Sequence, residues 1–368
     1  MLTLDSWVQL PKSGEKNDVT ARPAGMALTA DGKTIYVALN MNNTLGLFDS
    51  ASKTSTAEIP VGNAPHDVVI SGQTAFVSNE GGRTAGAVDA VNDSGGTKIV
   101  SDPRNGGSIT GTVSAVDLGT AALTKTIAVG LHPTGMMLAG GNVFVTNTNS
   151  DTISVIDAAS LEVVKTIAVQ AFPGAPYGSS PTGAAMIDDH QLVVGLGRNN
   201  ALALYRWNGP AEPVSFEGLV PTGWNPSQVM VDAGRRRLIV VNEKGVGSLG
   251  PEASIGPEAT GNPTGKWVHS NQGSLSLIPF PAAGQMADYT STVFRGNSWS
   301  ASACSDGQRP AAAVGGAMPA QAVIPARIGD PSPIKHVFYI VKENRTYDQV
   351  LGDHKRGNGD PNLVQFGE

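Results

Sequence analysis

Glu343 and Asn344 are the two residues whose types and placement best suit chemistry. They come just after Ile334-Lys335-His336-Val337-Phe338-Tyr339-Ile340-Val341, eight residues with one early charge. Such a run reads as a strand buried on both faces, typical of a parallel sheet in an α/β domain. The following residues, 342 to 351, are compatible with a helix, and Gly352 supplies a stop. The pair therefore falls just beyond the carboxyl end of a strand, where open α/β sheets place their ligands. A carboxylate and an amide oxygen are hard donors. By residue type alone, a Glu at a helix N-terminus is better explained by the helix dipole.

Other strings that imitate chemistry have plainer readings. Gly245-Val246-Gly247-Ser248-Leu249-Gly250 has dinucleotide-loop spacing, but Pro251-Glu252 and more Gly and Pro stand where the helix would have to start. Arg235-Arg236-Arg237 follows Asp232-Ala233-Gly234 and reads as a solvated hairpin turn. Cys304 is the single cysteine, which excludes a disulfide framework, a thiolate zinc cluster and a haem attachment pair.

The elements that must position these residues are turn-rich. The chain has 368 residues, of which 45 are Gly and 24 are Pro, nearly a fifth against roughly 12% in an average protein. Hydrophobic residues still supply 40%, enough for a folded chain. Charged residues supply 15% and the net charge is -6, which excludes a nucleic-acid partner held by clustered positive charge. No apolar run approaches the roughly 18 to 20 residues of a membrane span. Met1-Leu2-Thr3-Leu4-Asp5 lacks the features of a signal peptide, so the protein is cytoplasmic or its leader is not part of this sequence.

Five segments repeat one plan: a Pro in a turn, a short apolar strand, then a second strand ending at or near Asn. They begin at Pro23, Pro65, Pro133, Pro181 and Pro226, and their second strands reach Asn40, Asn79, Asn147, Gly195 and Asn242. Three continue into a third strand ending in Asp, at Asp49, Asp117 and Asp157, and a fourth strand is clearest at 124–130 and 164–169. Four short strands per unit at this spacing fit the blades of a β-propeller and exclude a helical solenoid, which needs apolar residues at 3.6 spacing. The fold expected is mainly β, a propeller of four-stranded antiparallel blades with five visible cores and room for six or seven. Trp7-Val8-Gln9-Leu10 is a candidate outer strand for the last blade. His66 and Asp67, beside Pro65, would point into the central channel, with no second His at an equivalent blade position.

Two units carry inserts of about thirty residues, after Asn79 and after Asn242. Both lengthen the connection between second and third strands, so both should emerge on the face that holds the prolines. A protein or glycan ligand on the face bearing the 80–110 and 243–272 inserts is one functional expectation.

The units resemble the YVTN (YncE-like) family of bacterial propeller repeats, over residues 22 to about 281, with blade four degenerate where Gly197 takes the Asn position. The propeller is expected over 1–283, a short helix at Asp288–Phe294 with an Ala/Gly/Pro-rich linker over 284–333, and a second domain from 334 to 368. The string from Ile334 to Asp348, then Gly357-Asn358-Gly359-Asp360-Pro361, is similar to the opening of the phosphoesterase family of the alkaline phosphatase superfamily, which includes bacterial acid phosphatases and phospholipases C. The resemblance implies a hydrolase of phosphate esters, a divalent metal bound by Glu343 and Asn344, and a periplasmic or extracellular location. It also implies that the nucleophile and the remaining metal ligands belong to later residues, so that these 368 residues are expected to be an inactive amino-terminal part.

Overall fold

A computed structural model of the chain describes residues 8–11, 21–173, 175, 177–245, 273–299, 333–338, 340, 345–357 and 359–366. It contains a β-propeller of five antiparallel blades. Blade one is β1 (Pro23–Leu28), β2 (Thr34–Leu39), β3 (Thr44–Asp49) and β4 (Ser55–Pro60), in that spatial order. Blade two begins with β5 (Asn63–Ser71) and β6 (Thr74–Gly82). A separate hairpin of β7 (Val91–Ser94) and β8 (Thr97–Val100) intervenes before β9 (Gly111–Asp117) and β10 (Ala122–Val129) complete the blade. Blade three is β11 (Pro133–Ala139), β12 (Asn142–Asn147), β13 (Thr152–Asp157) and β14 (Glu162–Ala168). Blade four is β15 (Pro181–Asp188), β16 (Gln191–Leu196), β17 (Ala201–Arg206) and β18 (Ser215–Pro221). Blade five has three strands among the described residues, β19 (Trp224–Asp232), β20 (Arg237–Gly245) and β21 (Ser274–Pro279).

The second strand of each blade is its interior, and its sequence shows why. Blades stack face to face, so β2, β6, β12 and β16 need apolar side chains on both faces and read as nearly continuous runs such as Val143-Phe144-Val145. The outer strands β4, β10 and β14 are mostly exposed and bury one isoleucine each, Ile59, Ile127 and Ile167. In blades one to three the Asp that ends the third strand caps the turn that follows: Asp49 accepts from Ser52 N, Asp117 from Thr120 N and Asp157 from Ser160 N. Each inner strand carries in its first three residues a proline, which cannot donate to a ladder, and the pairing shifts register immediately after it in all five blades.

Apolar clusters fill the seams between successive blades. Tyr36, Leu45 and Ile59 of blade one meet Val68 and Val77 of blade two, and Phe76 and Ile127 of blade two meet Met136 and Val145 of blade three. Ile153 and Ile167 of blade three meet Leu192 and Leu196 of blade four, and Leu202 and Val220 of blade four meet Val229 and Leu238 of blade five. Side chains rivet the inner strands too. Asn40 donates to Pro65 O, Ser78 to Thr134 O, Thr148 to Pro181 O and Thr182 to Pro226 O. Among the described residues, no such cluster joins blade five to blade one.

The pairing corrects two sequence alignments. Pro23 lies opposite Leu39 and Pro181 opposite Leu196, so the Asn position of blade one is Leu39 and that of blade four is Leu196, not Gly197. Of the expected closing strand Trp7–Leu10, the described residues Val8 to Leu10 are not in a strand. Leu10 instead packs on the buried cluster of Ala21, Val37, Leu39 and Phe48 at blade one. The helix expected near 288–294 is α1 (Met286–Gly296). It buries Val293 and Phe294 in the core of blades three and four, with Phe172 and Trp299 against the Phe294 ring.

Residues 247–272 and 305–368 group as a second unit. Its described part folds locally around α2 (Tyr347–Leu351), shorter than the helix expected over 342–351. Thr346 and Gln349 form a capping box that starts the helix, and Gln365 N and Phe366 N donate to Gln349 O. The described residues of the expected strand 334–341 are not in a strand, and Phe338 is 91% exposed.

Candidate functional site

The end of the propeller that carries the prolines has an unusual backbone. The residue before each proline, Arg22, Ala64, His132, Ser180 and Asn225, is left-handed, with φ of 46, 50, 52, 52 and 55°. A non-glycine residue there costs about 1–2 kcal/mol, so five repeats of this corner are a built feature. At two corners the effect on the side chain is visible: Asn225 donates to Glu243 at 2.7 Å, and His132 reaches Glu80.

Glu80 is the centre of this end. Its Oε1 lies 2.9 Å from His66 Nδ1 and 3.5 Å from His132 Nε2, and Asn40 Nδ2 lies 3.5 Å from Oε2. Blades one, two and three each contribute to the cluster. Burial alone would lower the basicity of His66, but the Glu80 hydrogen bond and the charges of Glu80, Asp67 and Glu243 hold it above its ordinary value. Burial pushes Glu80 upward, and the hydrogen bond and charge of His66, the charge of His132 and the Asn40 amide outweigh it, leaving the carboxyl below its ordinary value.

Asp67 plays a different part from the one its position suggested. Its carboxylate accepts Met136 N at 2.8 Å and Val68 N at 2.8 Å, stitching blade two to blade three. Burial raises its pKa against those two bonds and the charge of His66. Gly25 makes room for it: a Cβ there would stand 2.3 Å from Asp67 Oδ1.

The repeated asparagines are structural. Asn79 donates to Thr112 and Ser114, Asn147 to Thr152 and Ser154, and Asn242 to Ser274 and Ser276, each binding its own blade's third strand. Asn43, Asp151 and Asn200 accept backbone N–H groups of the link to the next blade, at Ala64, Ser180 and Asn225.

The first insert leaves and returns at the proline end, as expected, because Pro65 pairs with Asn79 just before it. It is anchored: Asn63 donates to Arg83 O and Lys98 O, Asn43 to Thr97, and Arg83 makes a bidentate pair with Asp89 at 2.6 and 2.7 Å. The roots of the second insert lie at the same end, since Trp224 pairs with Gly245; residues 246–272 are outside the described residues. A cavity of about 640 Å³ lies at the opposite end between blades one and two, lined by Leu28, Asp31, Tyr36, Ile70 and Leu118. Asp31 is its one carboxylate, already engaged by Thr29 and Lys33 N.

Glu343, Asn344 and Cys304 lie outside the described residues. Among the described residues no group of three or more His, Cys, Asp or Glu is arranged to hold a metal ion. No described helix is long and apolar enough to cross a membrane. Sequence reasoning found His66 but missed its partners. His132 stands one residue before the proline, not one after it, and Glu80 one residue after the Asn. The columns flanking those two markers held the signal.

The register and the seams define the chain as a five-bladed β-propeller. No family model matches it, and no curated protein does. The solved structures similar to it include these two. One is a functionally unknown protein from Desulfotomaculum acetoxidans, with 15% identity and a TM-score of 0.44 over 60% of this chain and 63% of that one. The other is the hydrazine synthase of Kuenenia stuttgartiensis, with 17% identity and a TM-score of 0.39 over 72% and 85%.

Proposed function

We propose that the chain is the amino-terminal part of a metal-dependent phosphoesterase, in which the propeller serves as scaffold and recognition module. The observation that carries the reading is the string from Ile334 to Asp348 followed by Gly357–Pro361, with its likeness to the opening of the phosphoesterase family. Two oxygen donors of different charge, Glu343 and Asn344, suit a divalent cation in kind, and a complete site needs further ligands from later residues. When bound, the ion would polarise a phosphoryl oxygen. Within this chain, Glu343 and Asn344 would hold it.

The test uses the full-length protein, assayed with p-nitrophenyl phosphate and bis-p-nitrophenyl phosphate beside bound-metal analysis. A Glu343→Ala variant should lose at least one equivalent of metal and most of the hydrolysis of whichever ester is cleaved. Unchanged metal content and activity would remove Glu343 from the site. No hydrolysis of either ester by metal-loaded protein would sink the reading. A second reading, a non-catalytic module for a protein or glycan, is favoured by one feature: the Glu80 cluster and the anchored 80–110 insert share one end of the propeller.

A further inference from the structure

We propose that the outer edge of blade five docks an extended strand of a partner protein, with an acidic residue at its amino-terminal end and a β-branched apolar residue near its carboxyl end. Leu275 carries the inference. Its register equivalents, Leu45, Val113, Ile153 and Leu202, lie opposite the residue just before the Asn position of the second strand and are fully buried. In blades one to three an isoleucine of the fourth strand lies opposite: Ile59 by Leu45, Ile127 by Val113 and Ile167 by Ile153. In blade five no described strand pairs with the outer edge of β21, and Leu275 is 64% exposed. The other blades thus specify what belongs there: a strand with one apolar side chain in this register.

Charge adds direction. The fourth strands β4, β10, β14 and β18 carry Glu58, Lys125, Glu162 with Lys165, and Glu217, while β21, Ser-Leu-Ser-Leu-Ile-Pro, carries none. An uncharged edge with exposed leucines lacks the usual guard against strand addition. In blade three the fourth strand starts with Glu162 opposite Asp157, and the equivalent of Asp157 is Pro279. Pro279 pairs with Arg237, at the hairpin of Arg235, Arg236 and Arg237. Arg235 and Arg237 share Asp232, while Arg236 lies over the Phe280 ring, so three cations face one carboxylate at the end where the docked strand begins. Main-chain bonds along β21 would give affinity, and the acid and the apolar residue would fix register.

The probe is a fluorescein-labelled peptide with the sequence of residues 162–169, Glu-Val-Val-Lys-Thr-Ile-Ala-Val, titrated against the protein by anisotropy. Saturable binding is expected, weakened at least tenfold when the peptide isoleucine is changed to Asp. Leu275→Lys and Arg236→Glu in the protein should each weaken it several-fold. Both positions are exposed, and circular dichroism verifies the fold of the variants. Absence of binding at millimolar peptide, or binding indifferent to all three changes, would overturn the proposal. So would hydrogen exchange showing the β21 amides as protected as those of β13 in the free protein, because the edge would then be covered by this chain or by a second copy of it.

Discussion

In blade three Asn147 donates to Thr152 and Ser154, and Ile153 between them is fully buried. In blade five Asn242 donates to Ser274 and Ser276 in the same register, and Leu275 between them is exposed. The pairing within a blade is therefore local and survives in both. Burial of the third strand is supplied from outside, by a fourth strand and by the next blade. Blade one shows the complement. Val68, Met136, Ala184 and Val229 are buried against the preceding blade, whereas the residue in their register, Met26, is 64% exposed.

The largest effect that could break this comparison lies in the apolar pair. Ile153→Ala should cost about 2–5 kcal/mol, since it opens a cavity between packed blades. Leu275→Ala should stay within about 0.5 kcal/mol, as expected for a surface position. Urea midpoints of the two variants measure it directly. Equal losses would mean that blade five is covered in solution.

A smaller effect sharpens the other half of the comparison. Asn147 and Asn242 are both fully buried and each donates to two hydroxyls of its own blade. Alanine at either position should cost about 1–3 kcal/mol, through hydroxyls, buried at Ser154 and half-buried at Thr152, Ser274 and Ser276, left without a donor. The two losses should match, unlike those of the apolar pair. A near-neutral Asn242→Ala would show that blade five is not held by the local register.

What was legible in the sequence follows the same division. The Pro, Asn and Asp markers act within a blade or one link away: Pro at the register shift, Asn on the third strand, Asp on the turn. Local chemistry of that kind leaves local signals, and the propeller was read from them. Closure of the ring and cover for blade five depend on contacts between distant segments, which no short pattern encodes. The assignment of Trp7–Leu10 to the last blade failed for that reason, since Leu10 finds Phe48 and Leu39 of blade one instead. Glu80 and His132 are 52 positions apart and meet only because blades two and three adjoin and the residue before Pro133 is left-handed. The strand expected at 334–341 rests on an apolar run, and an apolar run alone does not build a strand.

The smallest predicted effect separates the corners of blades two and five by pH. Glu80 faces imidazoles, whereas Glu243 in the equivalent column faces the Asn225 amide, which does not titrate. Because the folded pKa of Glu80 is depressed, its contribution to stability is complete above about pH 4.5, the ordinary glutamate value, and is lost as pH falls through the folded value. His66 is raised, so its contribution is complete below about pH 6.5 and is lost as pH rises through its folded value. The two overlap between pH 4.5 and 6.5. Asp67, raised by burial, works against them there: its contribution is complete only below about pH 3.8 and fades as pH rises through its own folded value. The difference in melting temperature between the native protein and Glu80→Gln should therefore be largest between pH 4.5 and 6.5 and shrink on both sides. Asp67→Asn should keep the bell but draw in its alkaline side, because Asp67 is held by Met136 N and Val68 N while its charge helps to raise His66. A difference that stays flat from pH 4 to 8 would mean that Glu80 and His66 do not form an ion pair, and that the corner of blade two is no more charged in its pairing than that of blade five.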